Sequence, residues 1–175
     1  MTGVAFGTVE TPLGDFLVAV TGDGVAATAF HDGDAVRRAI VARLRLPETA
    51  DATPARQARD ELAGYFAGER RVFDVPIDWR LMSPLQRKVL GTLTATVGYG
   101  QVTTYGALAE SSAAGVPARA IGSVMGSNPI PVIVPCHRVV AGNGLGGFSG
   151  GEGVEDKRWL LTLEGYLQPT LDWAL

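Results

Sequence analysis

The segment 130–140 constrains this chain more than any other. Two runs of mainly β-branched residues flank the sequence Pro-Cys-His-Arg at 135–138. Pro135 has no amide hydrogen to donate to a sheet, so it ends or bends a strand. The pattern predicts a short buried strand that stops at Cys136, the only cysteine of the chain. A polar triplet between two apolar runs is unusual in a core, and it indicates a functional site.

The single cysteine excludes several classes of protein. It rules out an intramolecular disulfide and a zinc site built from several cysteines, so no metal is expected. Residues 1–6 lack the basic flank and the apolar core of a signal peptide. No apolar run approaches the roughly 20 residues of a membrane-spanning helix. We therefore expect a cytoplasmic protein whose thiol stays reduced.

Charge is distributed unevenly along the chain. The formal net charge is −3, which taken alone argues against a nucleic-acid partner. Residues 83–150, however, carry four basic side chains and one acidic one. This middle block is electropositive and suits an anionic partner, although four basic residues also occur on ordinary neutral surfaces.

The first half of the sequence is predicted to be a scaffold domain with no candidate catalytic residues. Turn signals separate three strands within residues 3–30. Asp34 is expected to cap a helix that runs to about Leu46, and Thr53-Pro54 to open a second helix that ends at Gly68. Alternating apolar and polar residues at 73–79 indicate an edge strand.

The second half is predicted to be mainly helical. Ser83-Pro84 begins a helix that runs to about Thr96, and a final helix is expected from Asp156 to Gly165. Between them, a turn of small residues separates short helices at 105–110 and 118–126. Two such helices outline a helix-turn-helix, although many helical hairpins bind nothing.

Cys136 has two competing interpretations. A lone free cysteine is most often inert packing. Against this, the adjacent His137 and Arg138 would lower the thiol pKa and raise the population of the nucleophilic thiolate. Neighbours on a regular strand point to opposite faces, so His137 serves the thiol only where the backbone turns, or through a water. Glu164, one of few acids downstream, is a candidate to orient the histidine.

The glycine-rich stretch 141–153 needs its own test. Residues 142–147 fit the pattern G-x-G-x-x-G, which in dinucleotide-binding proteins opens a helix after a strand. Here more glycine follows, which is a poor start for a helix, so no nucleotide cofactor is expected. A loop that lets a bulky ligand approach the backbone fits better.

Three segments of this chain strongly resemble the O6-alkylguanine-DNA alkyltransferases. They are Asn-Pro-Ile-Pro-Val-Ile-Val-Pro-Cys-His-Arg-Val-Val at 128–140, Gly-Phe-Ser-Gly-Gly at 147–151 and Leu-Leu-Thr-Leu-Glu-Gly at 160–165. The resemblance is close over about residues 83–165. Over the first half the resemblance is loose, because the order of predicted helices and strands matches the family there but no sequence motif identifies it.

The resemblance implies a fold and a function. The fold would be α+β, with a ribonuclease H-like N-terminal scaffold domain at 1–80 and a winged-helix, helix-turn-helix C-terminal domain at 81–175. The C-terminal domain would enter the minor groove of double-stranded DNA and flip an O6-alkylguanine into a pocket. The alkyl group would then pass irreversibly to Cys136, so each monomer would act once and without a cofactor.

Eight residues acquire roles through the resemblance. Glu164, His137 and a water would deprotonate Cys136. The other five would bind the DNA and the flipped base. Tyr105 would press on the DNA backbone and hydrogen-bond the base, and Arg119 would fill the vacated place in the base stack. Asn128 would brace the turn that presents the thiol, the Val139 carbonyl would accept from the guanine amine, and the Ser149 hydroxyl would hydrogen-bond near O6.

The sequence departs from the family in few places. Phe148 stands where many members have tyrosine, and residues 83–90 are less aromatic than in many members. Two rival functions remain open: a protein that binds lesions without repairing them, and a cysteine hydrolase that uses Cys136 and His137. The preferred alkyl size, activity on O4-alkylthymine and cooperative assembly on DNA are left undetermined.

Overall fold

The computed structural model describes residues 1–169 and confirms a mixed α+β fold. The chain divides into two units, one from Met1 to Leu81 and one that begins at Met82. Among the described residues, no helix is long and apolar enough to cross a membrane.

The first unit is built on an antiparallel sheet that lies between two helices. Phe6, Leu17 and Ala19 belong to a core cluster that also contains residues of the first helix, whereas Phe16 on the opposite face contacts Phe66 of the second, with ring centroids 5.2 Å apart. Because both faces are covered, the central strand is buried over most of its length. The elements are β1 (Ala5–Thr11), β2 (Gly14–Thr21), β3 (Gly24–Ala29), α1 (Asp34–Leu44) and α2 (Arg56–Phe66), with a 3-10 turn at Thr53–Ala55 before α2.

The second unit is mainly helical. Its two short strands pair in parallel, Thr103 with Val139 and Thr104 with Val140, which joins the start of one short helix to the segment after Cys136. The elements are α3 (Pro84–Thr96), β4 (Thr103–Thr104), α4 (Tyr105–Ser111), α5 (Ala118–Gly126), β5 (Val139–Val140) and α6 (Val154–Leu163).

The predicted pair of helices is present as α4 and α5. Thr104 caps α4, since its side-chain oxygen accepts from the Ala107 amide at 3.1 Å. Ala113 and Gly115 both have positive φ angles, 51° and 71°, and they reverse the chain between the helices. A helix-turn-helix outline therefore exists in the second unit.

Three details of the sequence prediction are wrong. The edge strand at 73–79 reduces to one bridge between Val25 and Ile77, because Pro76 can accept from Val25 but has no amide hydrogen to continue a ladder. Asp34 is the first residue of α1 and does not cap it, since the N-cap is Gly33. The last helix is shifted, from Val154 to Leu163.

The start of α3 gives a direct stability test. Ser83 accepts from the Gln86 amide at 3.2 Å, and the Gln86 side chain accepts from the Ser83 amide at 2.8 Å, which forms a capping box. We expect Ser83→Ala to lower the free energy of unfolding by about 1 kcal/mol in urea titrations. Ser123→Ala, at an exposed position inside α5, is the control and should change it by less than about 0.5 kcal/mol. Equal effects of the two substitutions would contradict the cap.

Candidate active site

Cys136 lies in a tight turn and not at the end of a strand. Residues 136–138 form one 3-10 turn, in which the Cys136 amide donates to the Val134 carbonyl and the Arg138 amide to the Pro135 carbonyl. The predicted strand before it is also absent, because the chain folds back so that Pro131 bridges to Val134. The prolines of this segment have no amide hydrogens for a regular ladder. The turn removes the strand alternation that would have sent neighbouring side chains to opposite faces.

Asn128 braces the loop 130–134 that leads into this turn. Its side-chain amide donates to the Val134 carbonyl at 2.9 Å, and its side-chain oxygen accepts from the Ile130 amide at 2.9 Å. Inside the braced loop, Val132 has a φ of 76°, which is unfavourable for a β-branched residue and costs about 1–3 kcal/mol. The surrounding contacts therefore hold the segment before the thiol in a strained conformation.

The two residues that follow the thiol belong to a buried ionic cluster. His137 Nε2 is 2.7 Å from Glu164 Oε2, and Arg138 binds the same carboxylate in a bidentate manner, with Nε 2.8 Å from Oε1 and Nη2 3.1 Å from Oε2. The His137 and Glu164 side chains are fully buried. Arg138 also donates to the Val97 carbonyl at 3.0 Å. Arg138 is thus engaged by the carboxylate, which corrects the expectation that its charge serves the thiol.

The carboxylate fixes the tautomer of His137. An ionised carboxylate only accepts hydrogen bonds, so Nε2 must carry a proton. In a neutral imidazole Nδ1 then has a free lone pair and is a base. Among the buried side-chain nitrogen and oxygen atoms of residues 1–169, His137 Nδ1 is the one without a hydrogen-bond partner. A buried acceptor without a partner is suited to a bound water or an incoming proton.

The charges of the cluster follow from burial and contact. Burial lowers the pKa of His137 below its ordinary value, because the imidazolium is poorly solvated there, and Glu164 opposes this only in part. Burial alone would raise the pKa of Glu164, but its contacts with His137 and Arg138 outweigh burial and lower it. At neutral pH the cluster therefore holds a neutral imidazole, a carboxylate and a guanidinium.

The thiol itself is buried and protonated at rest. Burial raises the pKa of Cys136 above its ordinary value, whereas the Asn128 side chain and the charge of Lys157 act in the opposite direction. Only 5% of Cys136 is exposed. Because a thiol is a poor nucleophile, reaction requires a base that removes its proton. His137 is the adjacent candidate.

A cavity of about 410 Å³ opens in front of the thiol. This volume lies in the range of pockets that hold small organic ligands. Three of the residues predicted for the site line it, Tyr105, Cys136 and Ser149, and the Ser149 hydroxyl donates to the Gly126 carbonyl at 3.2 Å. The remaining lining residues are Gly122, Met125, Gly126, Gly147 and Phe148.

The other predicted residues lie around the cavity and not on its wall. His137 and Glu164 lie in the buried cluster, and Asn128 contacts the loop that leads into the turn. Arg119 is exposed in the first turn of α5, the helix whose later residues line the cavity. Val139 is buried, and its carbonyl accepts from Lys157.

Lys157 is the residue of this site that sequence reasoning missed. Its side chain is fully buried, and Nζ donates to the Val139 carbonyl at 2.6 Å and to the Gly147 carbonyl at 3.1 Å. It resembled an ordinary polar residue on an amphipathic helix. A lysine that follows two acids and precedes the apolar residues of α6 gave no distinguishing signal. No group of three or more His, Cys, Asp or Glu residues within the described part of the chain is arranged to hold a metal.

Two family models match the chain and together cover most of it. The model for the ribonuclease-like domain of 6-O-methylguanine DNA methyltransferase matches residues 4–79, and the model for its DNA-binding domain matches residues 84–166. This chain belongs to the 6-O-methylguanine DNA methyltransferase family. The family resemblance inferred from the sequence is therefore confirmed.

Individual relatives agree with this assignment. A methylated-DNA–protein-cysteine methyltransferase of Salmonella typhimurium is 45% identical over 121 residues, which are 69% of each chain. One of Shigella flexneri is 47% identical over 109 residues, and the matched stretch spans 62% of each chain. The Mycobacterium tuberculosis OGT crystallised in complex with DNA is 35% identical, with a TM-score of 0.75 over 91% of this chain and 92% of that one. The Pyrococcus kodakaraensis O6-methylguanine-DNA methyltransferase has a TM-score of 0.63 at 27% identity, over 93% of this chain and 99% of that one.

The buried cluster predicts how acid destabilises the protein. His137 has a lowered pKa when folded, so the unfolded chain binds a proton that the folded chain does not, and the free energy of unfolding falls as pH drops below about 6.5. Glu164 adds a second loss as pH falls through 4.5, the ordinary carboxyl value, towards its lower folded pKa.

Urea unfolding between about pH 7 and pH 5 measures the first of these losses. We expect the wild-type slope to flatten in His137→Gln, because the group that binds a proton only when unfolded is gone. His31→Gln removes the other histidine of the chain, which is exposed, and is the matched control. An equal slope in wild type and His137→Gln would show that His137 does not titrate as inferred.

Proposed function

We propose that this protein repairs O6-alkylguanine in DNA by transferring the alkyl group to Cys136, once per molecule. The main support is the neutral His137, which directly follows Cys136 and has a buried Nδ1 without a hydrogen-bond partner, together with a protonated thiol that lines a ligand-sized cavity. Membership of the family and the names of the relatives support it.

The proton of the thiol leaves first. His137 Nδ1 accepts it through a water, and the Glu164 carboxylate, which binds Nε2, stabilises the imidazolium that forms. A histidine base that is oriented by a carboxylate is a common catalytic arrangement. Burial keeps the imidazole neutral at rest by lowering the pKa of His137, and the positive charge of Arg138, which is bound to the same carboxylate, acts in the same direction.

The alkyl group then moves in a single displacement. The Cys136 thiolate attacks the carbon attached to O6, a sulfur–carbon bond forms, and the carbon–oxygen bond breaks with its electron pair passing to the purine. The purine anion takes up a proton from solvent, which restores guanine, the imidazolium of His137 returns its proton to solvent, and the protein keeps a thioether. A thioether sulfur has no proton to lose and its bond to carbon is not cleaved by an imidazole. One turnover per molecule follows.

The second unit supplies a means to bring the base to the thiol. We propose that α4 and α5 enter the minor groove and that exposed Arg119 takes the place of the flipped base. Tyr105, at the first position of α4, lines the cavity and would press on the DNA backbone and bond the base. Flipping costs a few kcal/mol, and less for a damaged base that pairs weakly. The excess of basic over acidic residues within 83–150 fits a DNA partner.

The remaining contacts are assigned to the base itself. Ser149 lines the cavity, and its hydroxyl would turn to the O6 region, while the Val139 carbonyl would accept from the guanine amine. Asn128 would keep the thiol in place through the loop that it braces. We propose that residues 1–80 serve as scaffold and residues 81–175 bind DNA and transfer the alkyl group. A cytoplasmic monomer that needs no cofactor is consistent with a DNA substrate and a reduced thiol.

Mass spectrometry of the protein after exposure to duplex DNA with O6-methylguanine tests the proposal. We expect a gain of one methyl group, located on the peptide that contains Cys136, with a plateau at one equivalent even when lesion DNA is in excess. Cys136→Ala should bind the DNA and gain nothing. Binding without transfer in wild type would favour a lesion-binding protein, and repeated turnover of an ester or peptide would favour a cysteine hydrolase.

Arg119 offers a test of base flipping that is separate from the chemistry. We expect Arg119→Ala to slow transfer from duplex DNA by about tenfold or more, because the vacated stack is no longer filled. Transfer from a free O6-alkylguanine base, which needs no flipping, should stay at the wild-type rate. Arg38→Ala, at an exposed position on α1, is the matched control and should affect neither rate. An equal loss with both substrates would place Arg119 in the chemistry and contradict its role in the stack.

A further inference from the structure

Lys157 occupies a place where a lysine is doubly unfavourable. Its side chain is fully buried, and long cationic side chains are almost never buried unless they are paired. It also lies in the first turn of α6, where the partial positive charge of the helix N-terminus disfavours a cation. The chain has one other lysine, Lys88, which is exposed on α3. A cation retained at such a place needs a specific function for its charge or its donors.

The ammonium group of Lys157 joins two separate pieces of the site. It donates to the Val139 carbonyl at 2.6 Å and to the Gly147 carbonyl at 3.1 Å. Val139 begins β5, directly after the turn that carries Cys136. Gly147 belongs to the glycine-rich stretch 141–153 and lines the cavity.

The glycine-rich stretch 141–153 is costly to hold in one conformation. Seven of its thirteen residues are glycine, and glycine loses more conformational freedom on ordering than any other residue. One wall of the cavity therefore consists of chain that is costly to hold in one conformation. Two charge-assisted hydrogen bonds from a single buried group offset part of that cost.

The charge of Lys157 also acts on the site directly. Nζ lies 5.9 Å from the centre of the Tyr105 ring. Its positive charge lowers the pKa of the Cys136 thiol, and the thiolate in turn raises the pKa of the lysine. Burial lowers the pKa of Lys157 to about 8, so the group is largely charged at neutral pH.

We propose that Lys157 is a positioning residue for the transfer reaction, which ties the glycine-rich stretch at Gly147 to β5 at Val139 and stabilises the Cys136 thiolate by its charge. The proposal rests on the proposed function only in naming the reaction that the tie serves. It adds a condition for substrate binding. The Val139 carbonyl already accepts from Lys157, so a guanine amine must use the second lone pair of that oxygen.

Lys157→Met removes the two hydrogen bonds of the ammonium group and keeps the apolar part of the side chain, so it tests the tie alone. In the DNA-free protein we expect a broad-specificity protease to cut within 141–153 about tenfold faster than in wild type, because the local opening is no longer opposed by two hydrogen bonds. Lys88→Met is the matched control and should be cut at the wild-type rate.

The pH dependence of Cys136 alkylation by a small electrophile reports the charge effect. We expect its midpoint to rise in Lys157→Met by about one pH unit, which is about a tenfold slower reaction at neutral pH. Lys157→Arg keeps the positive charge and should bring the midpoint back towards the wild-type value. A purely structural role would not give this rescue. Unchanged proteolysis together with an unchanged midpoint in Lys157→Met would overturn the proposal.

A measurement on the wild-type protein covers the case in which Lys157→Met does not fold. Reductive methylation of the folded protein should modify Lys88 readily and leave Lys157 unmodified, because its ammonium is buried and bonded. Methylation of both lysines at one rate would overturn the tie. Protection of Lys157 in a folded wild-type protein that takes no methyl group from DNA would support the tie and reject the proposed function.

Discussion

The buried carboxylate of Glu164 is the interaction on which the site depends. It accepts from His137 and from Arg138 at once, so one side chain fixes both residues that follow the thiol. Removing one partner of a buried ion pair costs about 3–5 kcal/mol, because the remaining charge is left without compensation. The cluster is therefore tied to the stability of the second unit as well as to its chemistry. Its position also explains why Nε2 of the histidine carries the proton and Nδ1 is free.

The backbone turn at 136–138 places the thiol and the imidazole of this cluster on suitable sides of the chain. On a regular strand Cys136 and His137 would face opposite sides, whereas the turn lets the thiol face the cavity while the imidazole enters the core. Asn128 holds this geometry by satisfying two backbone groups, and Val132 remains in a strained conformation within it. Strain of this kind is found where the surrounding structure over-determines a functional segment. The thiol is thus presented by a rigid element and not by a mobile loop.

Much of this could be predicted from the sequence, and the exceptions have physical causes. The helix from Pro84 to Thr96 was predicted within a residue because its cap and proline are local signals. Glu164 was a candidate partner of His137 because few acids lie downstream, but only the family resemblance gave it a definite role, since nothing local links residues 27 positions apart. Arg138 was assigned to the thiol, because adjacency in sequence does not reveal that its side chain turns to a carboxylate. Lys157 was missed, since burial of a charge within an amphipathic helix depends on tertiary partners that the pattern does not encode.

Transfer to Cys136 requires a neutral His137, with its proton on Nε2 and a free lone pair on Nδ1. Nitrogen-15 NMR of the two imidazole rings at neutral pH tests this most directly, with His31→Gln to assign the signals. We expect His137 to show one protonated nitrogen, Nε2, and one unprotonated nitrogen, Nδ1, and we expect this pattern to persist below pH 6.5. A protonated Nδ1 or a fully protonated ring at neutral pH would contradict it, because neither form could accept the proton of Cys136.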